Sequence, residues 1–279
     1  MKKRIVILGS GLAAACVIRS LKPTSHSLYF QQQANLELAC AECGDIRNLS
    51  ELTAIQPDLI ILAGYKPIVP QHHIDQFRMI NLHPSMLPKY RGMHSVVWAM
   101  LNGEAEVGLT LHEVDALVDN GAIIWQATES VADHSAYRLL ELLHEKFEAC
   151  AAAVIEDYLS GEIKPIPQDF DKATFVGIRR LEDCRIDFGQ PNEYLRRFFQ
   201  ALQKPYPLPF LTYNDTNYAV TDAVILDKDY RERNGVVVYK DEHSVWVKTA
   251  DGVMRILEVQ DSEGRLLNPA TLFRNYTRL

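Results

Sequence analysis

The sequence predicts an α/β fold, a Rossmann-like, mostly parallel sheet followed by a smaller β-rich, barrel-like C-terminal domain. Three observations predict it. Short β-branched runs alternate with helical stretches over residues 4–160. A polar, proline-bearing segment, EIKPIPQDFDKATF, follows Gly161 and reads as a surface linker. Beyond about residue 175, one helix and several short strands separated by turn residues suit a small barrel. The chain divides on this reading into residues 1–165 and 166–279.

The elements follow from local pattern. RIVIL at 4–8 is a first strand, stopped by Gly9-Ser10-Gly11, and residues 12–20 form a helix. Residues 27–30 make a second strand and 50–54 a short helix. DLIILA at 58–63 is a buried strand between Pro57 and Gly64, and 79–82 is another, leading into His83. A helix at 96–102 ends at Gly103, and strands at 107–114 and 122–130 flank a turn. Apolar residues at 139, 140, 143, 147, 150, 151 and 154 predict one long helix over 135–159, with Asp133 capping its start and Gly161 its end. In the second half, a helix at 191–202 precedes strands at 210–213, 218–226, 235–239, 244–249 and 254–259. There is no internal repeat.

Composition narrows the classes. The 279 residues carry a net charge of −7 and are 47% hydrophobic, enough to bury a core. No apolar run approaches a membrane span. The opening MKKRIVILGSG reads as a strand and turn, not a targeting segment, because glycines interrupt the apolar stretch early. Five scattered cysteines argue against a disulfide framework and for a reducing, cytoplasmic setting, with Cys40 and Cys43 as ordinary thiols. No metal-ligand set is evident.

Gly9-Ser10-Gly11-Leu12-Ala13-Ala14 fits G-x-G-x-x-A at a strand-to-helix turn. The acidic residue that would hold a ribose after the second strand is missing, with Gln31-Gln32-Gln33 in its place, so dinucleotide binding is disfavoured. A tight turn, or backbone N–H groups that hold a substrate phosphate, are the remaining readings of Gly9, Ser10 and Gly11. The sharper signal is Asn81-Leu82-His83. In an extended chain residues two apart share a side, so an amide and an imidazole converge at a strand end, where Pro84 and Pro88 then stop the strand. A lone Asn or His there is usually structural; the pair, with Pro-Ser-Met-Leu-Pro-Lys-Tyr-Arg-Gly behind it and a later Asp119-Asn120-Gly121 turn, points to chemistry.

NLHPSMLPKYRG at 81–92, with VGLTLHEVDALVDNGAIIWQ at 107–126, resembles the formyltransferase family that uses N10-formyltetrahydrofolate. The likeness covers residues 1 to about 160 and is nearest to the members acting on nucleotide-linked amino sugars. It implies the formyltransferase fold and a catalytic trio of Asn81, His83 and Asp119. A primary amine attacks the formyl carbon, and the resulting oxyanion needs an N–H donor and a nearby proton carrier. The resemblance places the pterin of N10-formyltetrahydrofolate against Tyr65, Lys66, Pro67, Ile68 and Val69, with Asp115, Leu117 and Val118 closing the other side, and assigns no metal. Ser85, Lys89, Tyr90, Arg91 and His94 become candidate contacts for the amine substrate, although His94, like Trp98, also suits packing.

The amine is a choice between tRNA and a sugar. Residues 175–279 carry 15 Lys and Arg against 15 Asp and Glu, so the whole −7 lies in residues 1–174. Neither half is basic, so a nucleic-acid footprint is missing and a small nucleotide-sugar substrate, of the kind that feeds surface-polysaccharide (O-antigen, lipopolysaccharide) synthesis, is the better fit. Methionyl-tRNA is the alternative. Pro84-Ser85-Met86-Leu87-Pro88 stands where some sugar enzymes carry Pro-Gly-x-Asn-Pro. The β-rich tail is a candidate homodimer surface.

Overall fold

The computed structural model describes residues 2–39 and 41–279. It divides into two compact units, residues Met1–Trp98, Glu106–Val131 and Arg138–Ile178 in the first, and Ala99–Ala105, Ala132–Tyr137 and Arg179–Leu279 in the second.

Up to Val176 the elements run β1 (Arg4–Leu8), α1 (Gly11–Leu21), β2 (Ser27–Phe30), β3 (Gly44–Asp45), α2 (Leu52–Ile55), β4 (Leu59–Ala63), α3 (Gln71–Gln76), β5 (Met79–His83), β6 (Arg91–Gly92), α4 (Ser95–Leu101), β7 (Glu106–Glu113), β8 (Ile123–Ser130), α5 (Ala136–Glu148), α6 (Ala151–Ser160) and β9 (Phe175–Val176), all in the first unit except the end of α4 and the start of α5. Seven strands form one sheet in the order β3-β2-β1-β4-β5-β7-β8. The first five are parallel, and β7 and β8 run antiparallel at one edge. The central strands are the most apolar because both faces are covered: Ile5–Leu8 and Leu59–Ala63 are buried throughout. The expected mostly parallel sheet is present.

The β1–α1 turn meets the end of β4 backbone to backbone. Gly9 has φ +122°, and a Cβ there would run into the Ala63 carbonyl. The Gln31 side-chain oxygen accepts the Gly9 N–H at 2.9 Å, and Asn35 donates to the Gly9 carbonyl at 3.1 Å. The glutamine standing in the acidic position therefore locks the turn.

The predicted long helix is two helices. Ser20 of α1 donates to the Glu148 carbonyl at 2.9 Å, taking an acceptor that a continuous helix would use. Cys150 leaves helical geometry at φ −125° and ψ −7°. The bidentate Arg19–Glu148 pair, at 2.8 and 2.6 Å, holds the same corner. Gly161 ends α6 in the left-handed conformation as expected. Cys43 is disulfide-bonded, which corrects its reading as an ordinary thiol; Cys40 lies outside the described residues.

The segment 162–175, expected as a surface linker, is paired to the first unit. Ile166 and Ile123 exchange both backbone hydrogen bonds at 2.8 Å, and Phe175–Val176 pair in parallel with Arg91–Gly92. The segment is stitched onto the first unit rather than passing over it.

The second unit contains α7 (Asn192–Ala201), β10 (Phe210–Tyr213), β11 (Thr216–Leu226), β12 (Val237–Lys240), β13 (Val245–Lys248), β14 (Val253–Gln260), β15 (Leu266–Leu267) and α8 (Pro269–Leu272). Its strands form a curled antiparallel sheet in the order β10-β11-β14-β13-β12, with β15 added on β14. A bulge near Thr221 in the 11-residue β11 bends the sheet. The buried Asn192 side chain bonds Leu226, Asp227 and Thr249, tying α7 to the sheet. Among the described residues no helix is long and apolar enough to cross a membrane.

Replacing Gly9 with Ala forces a Cβ into the Ala63 carbonyl at a positive φ, with an expected cost of about 2 kcal/mol or more in urea unfolding. A Gly9→Ala protein with unchanged stability would show that the β1–α1 turn relaxes freely.

Candidate active site

Strand β5 extends one residue further than its sequence pattern predicts, so Asn81 and His83 both lie on it, two apart and on one side. Asp119 arrives from the loop after β7 with φ +50°, a left-handed backbone that an aspartate tolerates better than most residues. The Asn81 amide nitrogen lies 3.3 Å from Asp119 Oδ1, and His83 Nδ1 lies 3.5 Å from Asp119 Oδ2. The Gly92 N–H donates to the same Oδ2 at 2.8 Å. Gly92 has φ +108°, and a Cβ would strike the Val176 carbonyl, so only glycine brings that N–H into place.

The imidazole of His83 is buried and its Nε2–H donates to the Tyr90 carbonyl at 2.9 Å. That bond leaves the Nδ1 lone pair facing Asp119. Burial lowers the His83 pKa below the ordinary 6.5, and the Asp119 charge and Tyr90 carbonyl oppose this only in part. For Asp119, burial alone would raise the pKa; the facing rings of His112 and His83 and the Gly92 N–H outweigh it and bring the carboxyl from 3.8 to about 2. The Gly92 bond has the firmest geometry of these, since both ring nitrogens lie at 3.5 Å or beyond.

A fourth polar residue belongs to the cluster and was missed by sequence reading. His112 on β7 sits opposite Asn81 in register. Its Nδ1–H donates to the Glu113 carbonyl at 2.6 Å, which leaves Nε2 to accept an Asn81 N–H at 3.1 Å. The signal was present in VGLTLHEV, where Thr110 and His112 are the polar members of one buried face. Thr110 donates to the Ser85 carbonyl at 2.6 Å, and Gln126 donates to the Leu87 carbonyl at 2.9 Å, pinning the loop that follows His83.

The residues assigned to the amine substrate divide. Ser85, Tyr90 and Arg91 are buried at 4%, 9% and 1% exposure. Ser85 donates to the Lys89 carbonyl, Tyr90 supplies its carbonyl to His83, and Arg91 donates to Asn120 and Gln168. Their side chains or backbones build the loop instead of facing solvent. Lys89 is exposed, His94 is half-buried at φ +59°, and Trp98 donates to the Gly177 carbonyl at 2.9 Å. Ser10 and Gly11 are exposed at the α1 start, while the Gly9 N–H is taken by Gln31.

The segments assigned to the pterin lie beyond the ends of β4 and β7. Val69 is buried and Tyr65 half-buried, while Lys66, Pro67 and Ile68 are exposed. Leu117 and Val118 are exposed apolar residues at 59% and 61%, and Asp115 is braced by the Leu117 N–H and the Asn120 amide. Among the described residues no group of His, Cys, Asp and Glu is placed to hold a metal. A separate cavity of about 640 Å³ in the second unit, walled in part by Arg185, Phe188, Thr212, Asn234 and Arg278, includes none of the trio.

The imidazole of His83 is expected to titrate below pH 6.5 by NMR, and lower still in Asp119→Asn, where the opposing negative charge is gone. A midpoint at or above 6.5 would contradict the burial argument. Asp119 has a lower pKa folded than unfolded, so its stabilisation is full above about pH 5 and is lost as pH falls towards 2. The acid-side loss of unfolding free energy is expected to be shallower by about 2 kcal/mol in Asp119→Asn; equal slopes in denaturant titrations would refute the assignment.

Residues 3–154 match the formyl transferase family, and residues 180–277 match the formyl transferase C-terminal domain. A methionyl-tRNA formyltransferase of Fusobacterium nucleatum is 31% identical over 216 residues, covering 75% of this chain and 68% of that protein. Two sugar enzymes share the fold. WlaRD, a sugar 3N-formyltransferase solved in the presence of dTDP and 5-N-formyl-THF, gives a TM-score of 0.68 at 18% identity, over 94% of this chain and 98% of its own. The N-formyltransferase of Helicobacter canadensis, in complex with folinic acid and dTDP-3-aminofucose, gives 0.69 at 18%, over 93% and 100%. HypX of Aquifex aeolicus, in complex with tetrahydrofolic acid, gives 0.69 at 19% over 98% of this chain, which spans about half of HypX, 47%. With the family model matching more than half of the chain and the C-terminal domain matched as well, the chain belongs to the formyl transferase family.

Proposed function

We propose that this protein transfers a formyl group from N10-formyltetrahydrofolate to the primary amine of a nucleotide-linked amino sugar. The observation that carries the reaction is the convergence of Asn81 and His83 on Asp119, at 3.3 and 3.5 Å. An attacking amine builds negative charge on the formyl oxygen and positive charge on its own nitrogen. An Asn81 N–H, released from its long 3.3 Å contact with Asp119, stabilises the oxyanion. The neutral His83 accepts the amine proton at Nδ1, the lone pair that the Tyr90 bond leaves open, and Asp119 stabilises the imidazolium. The same proton then goes to N10 of the departing tetrahydrofolate, so the reaction ends with a formamide and no net proton change at His83.

The pterin site would use Tyr65–Val69 on one side and Asp115, Leu117 and Val118 on the other. The exposed apolar pair Leu117 and Val118 supports a flat, partly apolar ligand there. Folate ligands in WlaRD, the Helicobacter canadensis enzyme and HypX support the same donor. For the acceptor, the absence of basic excess in either half of the sequence supports a small substrate over tRNA. The near end-to-end match to two sugar enzymes supports the same choice. The methionyl-tRNA reading is favoured by one observation, the name carried by relatives at 29–31% identity.

Formyl transfer from N10-formyltetrahydrofolate is to be measured against charged and uncharged tRNA and a panel of nucleotide-linked amino sugars. Product is expected with at least one sugar; formylmethionyl-tRNA as the sole product overturns the sugar reading. Asn81→Ala and His83→Ala are expected to fold normally and lose on the order of 10²-fold or more in kcat. Near-normal turnover in either would remove that residue from the mechanism.

A further inference from the structure

Arg91 is a buried cation whose bonds lead to the loop that bears Asp119. At 1% exposure, its Nη1 donates to Asn120 Oδ1 at 2.9 Å and its Nη2 to Gln168 Oε1 at 2.7 Å. Gln168 then turns its amide nitrogen onto two backbone carbonyls, Asp119 at 2.9 Å and Gly121 at 2.8 Å. Asn120 passes its own N–H to Asp115 Oδ2 at 2.6 Å. The loop that bears the candidate catalytic carboxylate is therefore gripped on both sides of Asp119 by amides that Arg91 orients. The rings of Phe170 and Phe175 lie 5.4 and 5.7 Å from the guanidinium carbon, and Arg91 itself is pinned by its N–H to the Thr174 carbonyl at 2.9 Å.

This bracing has a physical reason. Asp119 sits at φ +50°, a left-handed conformation that costs a non-glycine residue free energy unless its surroundings over-determine it. Two donors on the carbonyls of residues 119 and 121 supply that constraint, and the planar guanidinium fork spans both amides at once. The guanidinium holds the Gln168 oxygen and the two carbonyls hold its nitrogen, so a flipped amide would set like against like at both ends.

We propose that Arg91, relayed by Gln168, is a positioning residue that holds the left-handed Asp119 backbone so that its carboxylate faces His83. It touches neither the formyl donor nor the amine. The inference rests on the reading of Asp119 as a catalytic group, and the variants below separate the two. A lysine cannot bridge both amides, so charge alone does not substitute.

The test compares Arg91→Lys, Arg91→Met, Gln168→Leu and Asp119→Asn in the full chain, with circular dichroism and thermal unfolding to confirm folding. Each is assayed for kcat and KM with N10-formyltetrahydrofolate and the best amino-sugar acceptor, and the His83 imidazole is titrated by NMR. Gln168→Leu and Arg91→Lys are expected to lower kcat by about 10- to 100-fold with both KM values within about threefold, a loss of transition-state alignment. In both, the His83 midpoint is expected to move down towards that of Asp119→Asn, a shift that lost stability alone would not produce. Should the Arg91 variants fail to fold, Gln168→Leu carries the test. Wild-type kcat and an unmoved His83 midpoint in Gln168→Leu, beside an inactive Asp119→Asn, would overturn the positioning role and leave the catalytic reading intact. A raised KM for the amine in Arg91→Met that Arg91→Lys restores would instead make Arg91 a charge contact for substrate. An active Asp119→Asn removes the catalytic reading, while the His83 shift in Gln168→Leu still decides whether the brace exists.

Discussion

The carboxylate of Asp119 is the point on which the site turns. A buried anion is costly unless it is hydrogen-bonded, and here one backbone N–H and one amide N–H are aimed at it, with two imidazole rings beside it. None of these partners comes from the same turn. Asn81 and His83 stand on β5, His112 on β7 and Gly92 on the short β6, while the carboxylate itself leans in from a left-handed loop. The arrangement exists only when the sheet places β5 beside β7 and when residues 166–176 hold the loops on either side.

The sheet order has a direct chemical consequence. Because β7 runs antiparallel to β5, His112 falls opposite Asn81 and Thr110 falls opposite His83. Two polar residues of one strand therefore meet two of the other on the same buried face. His112 engages the Asn81 amide, and Thr110 fixes the loop that returns the Tyr90 carbonyl to His83. Behind His112, Tyr158 of α6 donates to Glu113 at 2.9 Å while Arg78 stacks on its ring at 3.8 Å. The phenol's pKa is pushed up to about 12, chiefly by burial, so it remains a donor across the physiological range.

Much of this was open to reading along the chain, for reasons that differ residue by residue. The strands declare themselves because a two-sided sheet demands unbroken apolar runs such as LIILA. Asn81 and His83 declare themselves because alternation in a strand is strictly local. Asp119 could be placed only by likeness to a family, since 36 residues separate it from His83. The partners of Arg91 were not legible because a cation in a loop ordinarily faces water, and nothing local shows that Asn120 and Gln168 close over it. The break between α5 and α6 was hidden for a similar reason. The apolar period continues through it, and the hydroxyl that takes the Glu148 carbonyl belongs to Ser20.

By itself, then, the sequence determined which segments are strands and helices, where the glycines must turn, and which two side chains share a strand end, because propensity, alternation and positive-φ demands act over a few residues. The tertiary structure alone decided that Asp119 is left-handed and gripped from residue 168, that His112 joins the cluster, and that the supposed linker is a brace. Those are outcomes of strand order and of hydrogen bonds between residues 31 to 84 positions apart, and no local rule encodes which distant partner a buried polar group finds.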